Sequence, residues 1–179
     1  MNIVLLGYMG SGKTAVGRQL AIVMGREFVD LDLLIEEQLG QSISEIFDRK
    51  GAVYFRKKES EVLREVLNSK NSAVIALGGG TPIYGDNLKW IKDKKNTLSI
   101  YLKITIEPLV QRLWDERQNR PLIAGISSSE ALEEFVRKHL FERAFVYQQA
   151  DVQMDVSDLS VEQAALAVQN IFQKEQGVI

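Results

Sequence analysis

The chain has 179 residues, 45% hydrophobic and 26% charged, with a formal net charge of -2. That length suits one domain with its own core, and the slight negative balance leaves no global basic field, which argues against a general nucleic-acid binder. With no cysteine and a single histidine, disulfides, thiolate chemistry and a histidine-rich metal centre are excluded as well.

The chain runs at once into "NIVLL" (2–6), an apolar, β-rich run that reads as a buried strand. A helix follows in which Val16, Leu20, Val23 and Met24 share a face, with Gly25 as its stop signal. "EFVD" (27–30) is the second strand. "SISE" (42–45) places Ser42 and Glu45 at capping-box spacing, and a long helix over about 52–69 packs Val62, Leu63, Val66 and Leu67. "SAVIAL" (72–77) and "TLSIYL" (97–102) read as further buried strands. Pro108 then falls in the first turn of a helix after Thr105. "DVQMDV" (151–156) is the fifth strand. The last helix carries a stripe of Val161, Ala164, Ala165, Val168, Ile171 and Phe172 behind a second capping box, Ser160 and Gln163.

This alternation predicts an α/β fold, a five-stranded parallel sheet flanked by helices, in one domain over 1–179. Two segments interrupt the rhythm. Residues about 31–60 insert extra helix, and about 115–129, "DERQNRPLIAGISSS", reads as a lid. No apolar run nears the ~20 residues of a membrane span, and "NIVLLG" lacks a charged leader and cleavage site. A cytoplasmic protein without membrane or nucleic-acid partners, and a monomer, is expected.

"GYMGSGKTAVG" (7–17) lies between the first strand and the first helix. Gly7, Gly12, Lys13 and Thr14 match GxxxxGK[ST]. Glycines let successive amides turn inward around an anion, and the helix start points its positive end at the same place. Lys13 can reach the outer phosphates, and Thr14 can offer a hydroxyl to Mg²⁺. A nucleotide triphosphate tail is therefore expected here. The guanine motif NKxD is absent, which turns the reading from a GTPase to a kinase acting on a small metabolite.

The remaining motifs resemble those of the shikimate kinase family: "DLD" (30–32), "SISEIF" (42–47), "FRKKE" (55–59), "LGGGTP" (77–82), "RPLI" (120–123) and "ERAFVYQQAD" (142–151), in order along nearly the whole chain. The resemblance implies a P-loop fold of nucleoside-monophosphate-kinase type that passes the γ-phosphoryl group of ATP to shikimate with Mg²⁺. It implies ATP on Gly10, Ser11, Gly12, Lys13, Thr14 and Ala15, with Arg112 stacked on adenine and Arg120 of the lid on the phosphates. Thr14 and Asp30 serve Mg²⁺, Asp30 through water. Shikimate is held by Asp32, which binds a ring hydroxyl and takes its proton, by the amides of Gly78, Gly79 and Gly80, and by carboxylate grips from Arg56 and Arg143. Phe47 and Phe55 wall the ring. Lys13, Asp32 and Arg120 are the catalytic set.

Some residues carry a plainer reading too. One of Asp30 and Asp32 can serve only to cap the helix that follows. Arg56 and Glu59, three apart, form a surface ion pair on spacing alone. His139 reads as a structural residue without a partner, "KWIKDKK" (89–95) as a solvated helix face, and Trp90 and Trp114 as packing. Leu31 and "DVSDLS" (155–160) depart from the family pattern, the latter at the adenine loop. Three alternatives stay open: a gluconate or nucleoside monophosphate kinase, a silent nucleotide-binding module, and a non-transferring ATPase.

Overall fold

A computed structural model describes residues 1–177. Five parallel strands, β1 (Asn2–Leu6), β2 (Glu27–Asp30), β3 (Ala73–Ala76), β4 (Thr97–Lys103) and β5 (Val152–Asp155), form one sheet in the order β2-β3-β1-β4-β5. Every residue of β1 and β3 is buried, so both sheet faces are covered and neither strand shows the polar alternation of a half-exposed sheet. The side chain of Asn2 fixes one edge of the register. It accepts from Ala73 N at 2.9 Å and donates to the Lys70 carbonyl at 2.7 Å.

The helices that flank the sheet are α1 (Lys13–Met24), α2 (Leu31–Leu39), α3 (Ile43–Ser69), α4 (Asn87–Asp93), α5 (Ile106–Glu116), α6 (Ser129–Tyr147) and α7 (Val161–Glu175). α1 packs on α7, α2 on α3, and α5 on α6. Both expected capping boxes form: Ser42 and Glu45 open α3, and Ser160 and Gln163 open α7. Gly25 ends α1 with φ 60°, and Thr105 stands at the N-cap of α5 with Pro108 in its first turn.

The long third helix differs from its expected start at 52. It begins at Ile43 and bends at Gly51, whose φ of 78° and ψ of 169° leave the helical region. Such a φ is open to glycine, and it lets one run of helix change direction without a loop. The candidate lid also has local order. A 3₁₀ turn spans Arg117–Asn119, and Ile123 is fully buried in the common core while its neighbour Leu122 stays exposed.

β1 sits in the middle of the sheet, with β3 to one side and β4 to the other. The connection from β1 runs to β2 on one side and that from β4 runs to β5 on the other, so a crevice opens at the carboxyl ends of β1 and β4, where open α/β sheets hold ligands.

Candidate active site

The glycine-rich turn leaves β1 at that crevice. Gly10 and Gly12 adopt φ 79° and 89°, and Gly12 caps α1 without any side-chain bond. The amides of the first helical turn therefore face outward uncapped, aimed where an anion would sit. Ser11 Oγ is buried and has no hydrogen-bond partner, another donor left open in the cradle. α5 supports the turn from below. A Cβ on Gly10 would lie 2.9 Å from Leu113 and 3.0 Å from Leu109.

Lys13, only 8% exposed, curls back over its own loop and donates to the carbonyls of Gly7 (3.0 Å) and Tyr8 (2.8 Å). Burial lowers its pKa to about 8, opposed by the negative charge of Asp32 and assisted by the positive charge of Arg120. Asp32 and Arg120 thus each lie near enough to Lys13 for their charges to act on it. Arg120 itself is held by Glu116, with Nε 3.1 Å from the carboxylate. Arg112 is half-buried on α5, on the helix that touches the loop, and Ala15 is exposed in the first turn of α1.

Thr14 and Asp30 meet directly, the hydroxyl donating to Oδ2 at 2.7 Å. The other oxygen of Asp30 caps α2 by accepting from the amides of Asp32 (3.1 Å) and Leu33 (3.3 Å). The capping role is thus real and belongs to Asp30, but it uses one oxygen only. Two neighbouring hard oxygens at the mouth of the cradle fit a Mg²⁺ that keeps most of its waters and takes phosphate oxygens. Among the described residues no group of three or more acidic, histidine or cysteine side chains forms an all-protein metal cage.

The triple glycine after β3 gathers the second half of the site. A Cβ on Gly78 would lie 2.5 Å from Asp32 Oδ1, and one on Gly80 would lie 2.7 Å from two nitrogens of Arg56. A Cβ on Gly79 would meet the amide of Met9 at 3.1 Å, so the turn also abuts the phosphate loop. Bare backbone is what allows these approaches. Asp32 is pushed up to about 6, first by burial, then by the charges of Glu59 and Asp30.

Arg56 is not the surface ion pair that spacing alone suggests. It donates at 2.7 Å to Glu59, a fully buried residue whose other oxygen accepts from Thr81 Oγ1 at 2.7 Å. The guanidinium lies over Tyr84 (4.2 Å), Phe55 (5.0 Å) and Phe47 (6.0 Å), and the two phenylalanine rings are 4.8 Å apart. Arg143, on α6, donates to the His139 carbonyl at 3.0 Å, and its charge bears on the phenols of Tyr8 and Tyr147.

His139 has a partner after all. Its Nδ1 lies 2.7 Å from the hydroxyl of Tyr8, in the phosphate loop. Tyr147 donates at 2.6 Å to the Gly79 carbonyl, and Tyr84 covers Arg56. Sequence reading passed over all three tyrosines. Tyr147 alone had a local signal, since it stands one helical turn after Arg143 on the same face. Trp90 and Trp114 lie against Arg64 (3.2 Å) and Arg117 (3.9 Å). A separate cavity of about 420 Å³, bordered by Pro82, Lys89, Lys92 and Val146, lies between α4 and the end of α6 and takes in none of the residues above.

An anion cradle, a carboxylate and two guanidinium groups thus stand side by side at the end of β1. A family model described as shikimate kinase matches residues 9–174. A shikimate kinase of Flavobacterium psychrophilum is 46% identical over 159 residues, 89% of this chain and 91% of that one. The structure of a shikimate kinase from Bacteroides thetaiotaomicron aligns with a TM-score of 0.88 at 30% identity, over 97% of this chain and 98% of that one. That of a shikimate kinase from Acinetobacter baumannii in complex with shikimate aligns with a TM-score of 0.87 at 34% identity, over 97% and 93%. With fold, motif order and full-length similarity in agreement, the chain belongs to the shikimate kinase family of ATP-dependent phosphotransferases.

Proposed function

We propose that the chain transfers the γ-phosphoryl group of ATP to the 3-hydroxyl of shikimate, giving shikimate 3-phosphate and ADP on the route to chorismate and the aromatic amino acids. The observation that carries this reading is the convergence of Asp32 and Arg56 on Gly78–Gly80, directly beside the phosphate loop.

The roles follow from the chemistry. The first-turn amides of α1 and Ser11 bind the phosphates, and Lys13 leaves its loop carbonyls to neutralise the outer ones. Arg120 adds charge when the lid, about 115–129, covers the nucleotide, and Arg112 stacks on the adenine. Arg56 and Arg143 hold the shikimate carboxylate, where a planar fork makes two parallel bonds. Phe47 and Phe55, in the insert at about 31–60, wall the ring.

Asp32 accepts from the acceptor hydroxyl. As that oxygen bonds to phosphorus and the bond to the β–γ bridging oxygen breaks, the hydroxyl proton passes to Asp32. A carboxylate raised to about 6 is a stronger base than an ordinary one and is still ionised at neutral pH. Thr14 and Asp30 would hold Mg²⁺, which supplies charge compensation for the transferring group. The protein acts in the cytoplasm as a monomer; no helix among the described residues is long and apolar enough to cross a membrane.

The test is acceptor-dependent ADP formation across a panel of small hydroxy acids that includes shikimate and gluconate. Turnover with shikimate alone is expected, and Lys13→Met lowers kcat at least ~100-fold with the fold intact. Preference for another acceptor overturns the substrate; ADP release without any acceptor makes the chain an ATPase; full turnover by the variant removes the phosphate loop from the mechanism.

A further inference from the structure

The Tyr8–His139 contact joins two parts of the site that sequence places 131 residues apart. Tyr8 belongs to the phosphate loop, and its carbonyl accepts from Lys13 at 2.8 Å. His139 belongs to α6, and its carbonyl accepts from Arg143 at 3.0 Å. One side-chain bond thus closes a continuous path from the lysine that meets the nucleotide to the arginine assigned to the acceptor. We propose that Tyr8 and His139 are positioning residues, a strut that sets the placement of Arg143 relative to the phosphate loop. The proposal rests on the reading of Arg143 as a grip on the acceptor carboxylate.

Three features favour a strut over incidental packing. Tyr8 is 2% exposed, so its phenol proton has no ready exit to water, and His139 Nδ1 is its hydrogen-bond partner among the described residues. The phenol therefore donates, and the imidazole carries its own proton on Nε2. His139 packs against two rings, Phe135 with centroids 5.0 Å apart and Tyr8 at 5.5 Å in a T-shaped pair, so the acceptor nitrogen has a defined direction. A second phenol repeats the arrangement two helical turns further on, where Tyr147 bonds the Gly79 carbonyl. α6 is thereby pinned to both loops of the site, with Arg143 midway between the two pins. Burial and the nearby charge of Arg143 also keep His139 neutral, with its pKa lowered to about 4, as an acceptor must be.

The experiment uses the whole chain and four variants: Tyr8→Phe, His139→Leu, the pair together, and His139→Asn, whose amide oxygen can stand near the Nδ1 position. Each single loss is expected to raise the shikimate KM about 5-fold, the scale of one hydrogen bond, while the ATP KM stays within about twofold. The double variant should be no worse than the worse single, since both remove one bond. His139→Asn should return the shikimate KM to within about twofold of the parent.

Wild-type shikimate KM in both single variants overturns the strut. So does an equal rise in the ATP KM, which marks general loosening, and so do losses that multiply in the double. Because the chain has one histidine, its nitrogen resonances can be assigned without ambiguity. A proton on Nδ1 in the parent protein also overturns the proposal, and this readout stands whether or not a variant folds. Arg143→Ala separates the two levels. If it leaves shikimate binding unchanged, the grip itself is wrong; if it weakens binding and the strut variants do not, only the strut is.

Discussion

Replacing Arg56 with Ala tests the acceptor side of the site and its supporting shell together. Glu59 is fully buried and its carboxylate has two partners, Arg56 and Thr81, each at 2.7 Å. The substitution leaves one oxygen of a buried anion unpaired. Breaking a buried pair in this way costs about 3–5 kcal/mol. The Arg56 side chain is 24% exposed, so water can enter the vacated space, and we expect the lower end, about 3 kcal/mol. For a domain of this size that lowers Tm by roughly 6–12 °C. Adding Glu59→Gln removes the stranded charge and keeps an acceptor for Thr81, so the double variant should recover most of the loss. Substrate binding should not recover, because the fork itself is gone: the shikimate KM rises by about 2–4 kcal/mol in binding terms in both variants. Calorimetry and a coupled ADP assay read the two effects separately. Unfolding of Arg56→Ala at the parent temperature, or a double variant as unstable as the single, would refute the buried-pair argument. An unchanged shikimate KM would refute the grip.

Two further outcomes are expected. Gly78→Ala puts a Cβ 2.5 Å from Asp32 Oδ1 and 3.0 Å from Thr81 Oγ1, at a position outside the left-handed region, so its effect is displacement of the carboxylate. A shift near 1 Å lowers kcat about 100-fold while ATP binding, followed by nucleotide titration, is retained; an unaltered kcat means that the position of Asp32 is not critical. In a pH profile, kcat/KM for shikimate should rise through about 6, where Asp32 loses its proton, and fall through about 8, where Lys13 loses its charge. The free protein's stability changes oppositely on the acid side. The raised pKa of Asp32 means that ionisation costs the folded state, so its contribution is fullest below the ordinary carboxylate value and is lost as pH rises through about 6. A flat rate profile between pH 5 and 7 would exclude Asp32 as the base.

Local pattern was enough to determine much of this protein. The five strands, the phosphate loop and both capping boxes depend on neighbours within a few residues, where periodicity, a turn or a cap is written in one stretch. The start of α3 was harder to read. Ser42 and Glu45 announced it, yet Gly51 broke the apolar period, because a glycine with φ 78° turns the helix rather than ending it. Tertiary structure alone decided which side chains meet. The sheet order β2-β3-β1-β4-β5 brings Gly78 to Asp32 and Gly80 to Arg56. It turns an i+3 ion pair into a buried one by setting Thr81 against Glu59, and it gives His139 a partner 131 residues away. Spacing rules reach about one helical turn, whereas these contacts depend on which strands lie side by side, and that is settled by how the whole core closes.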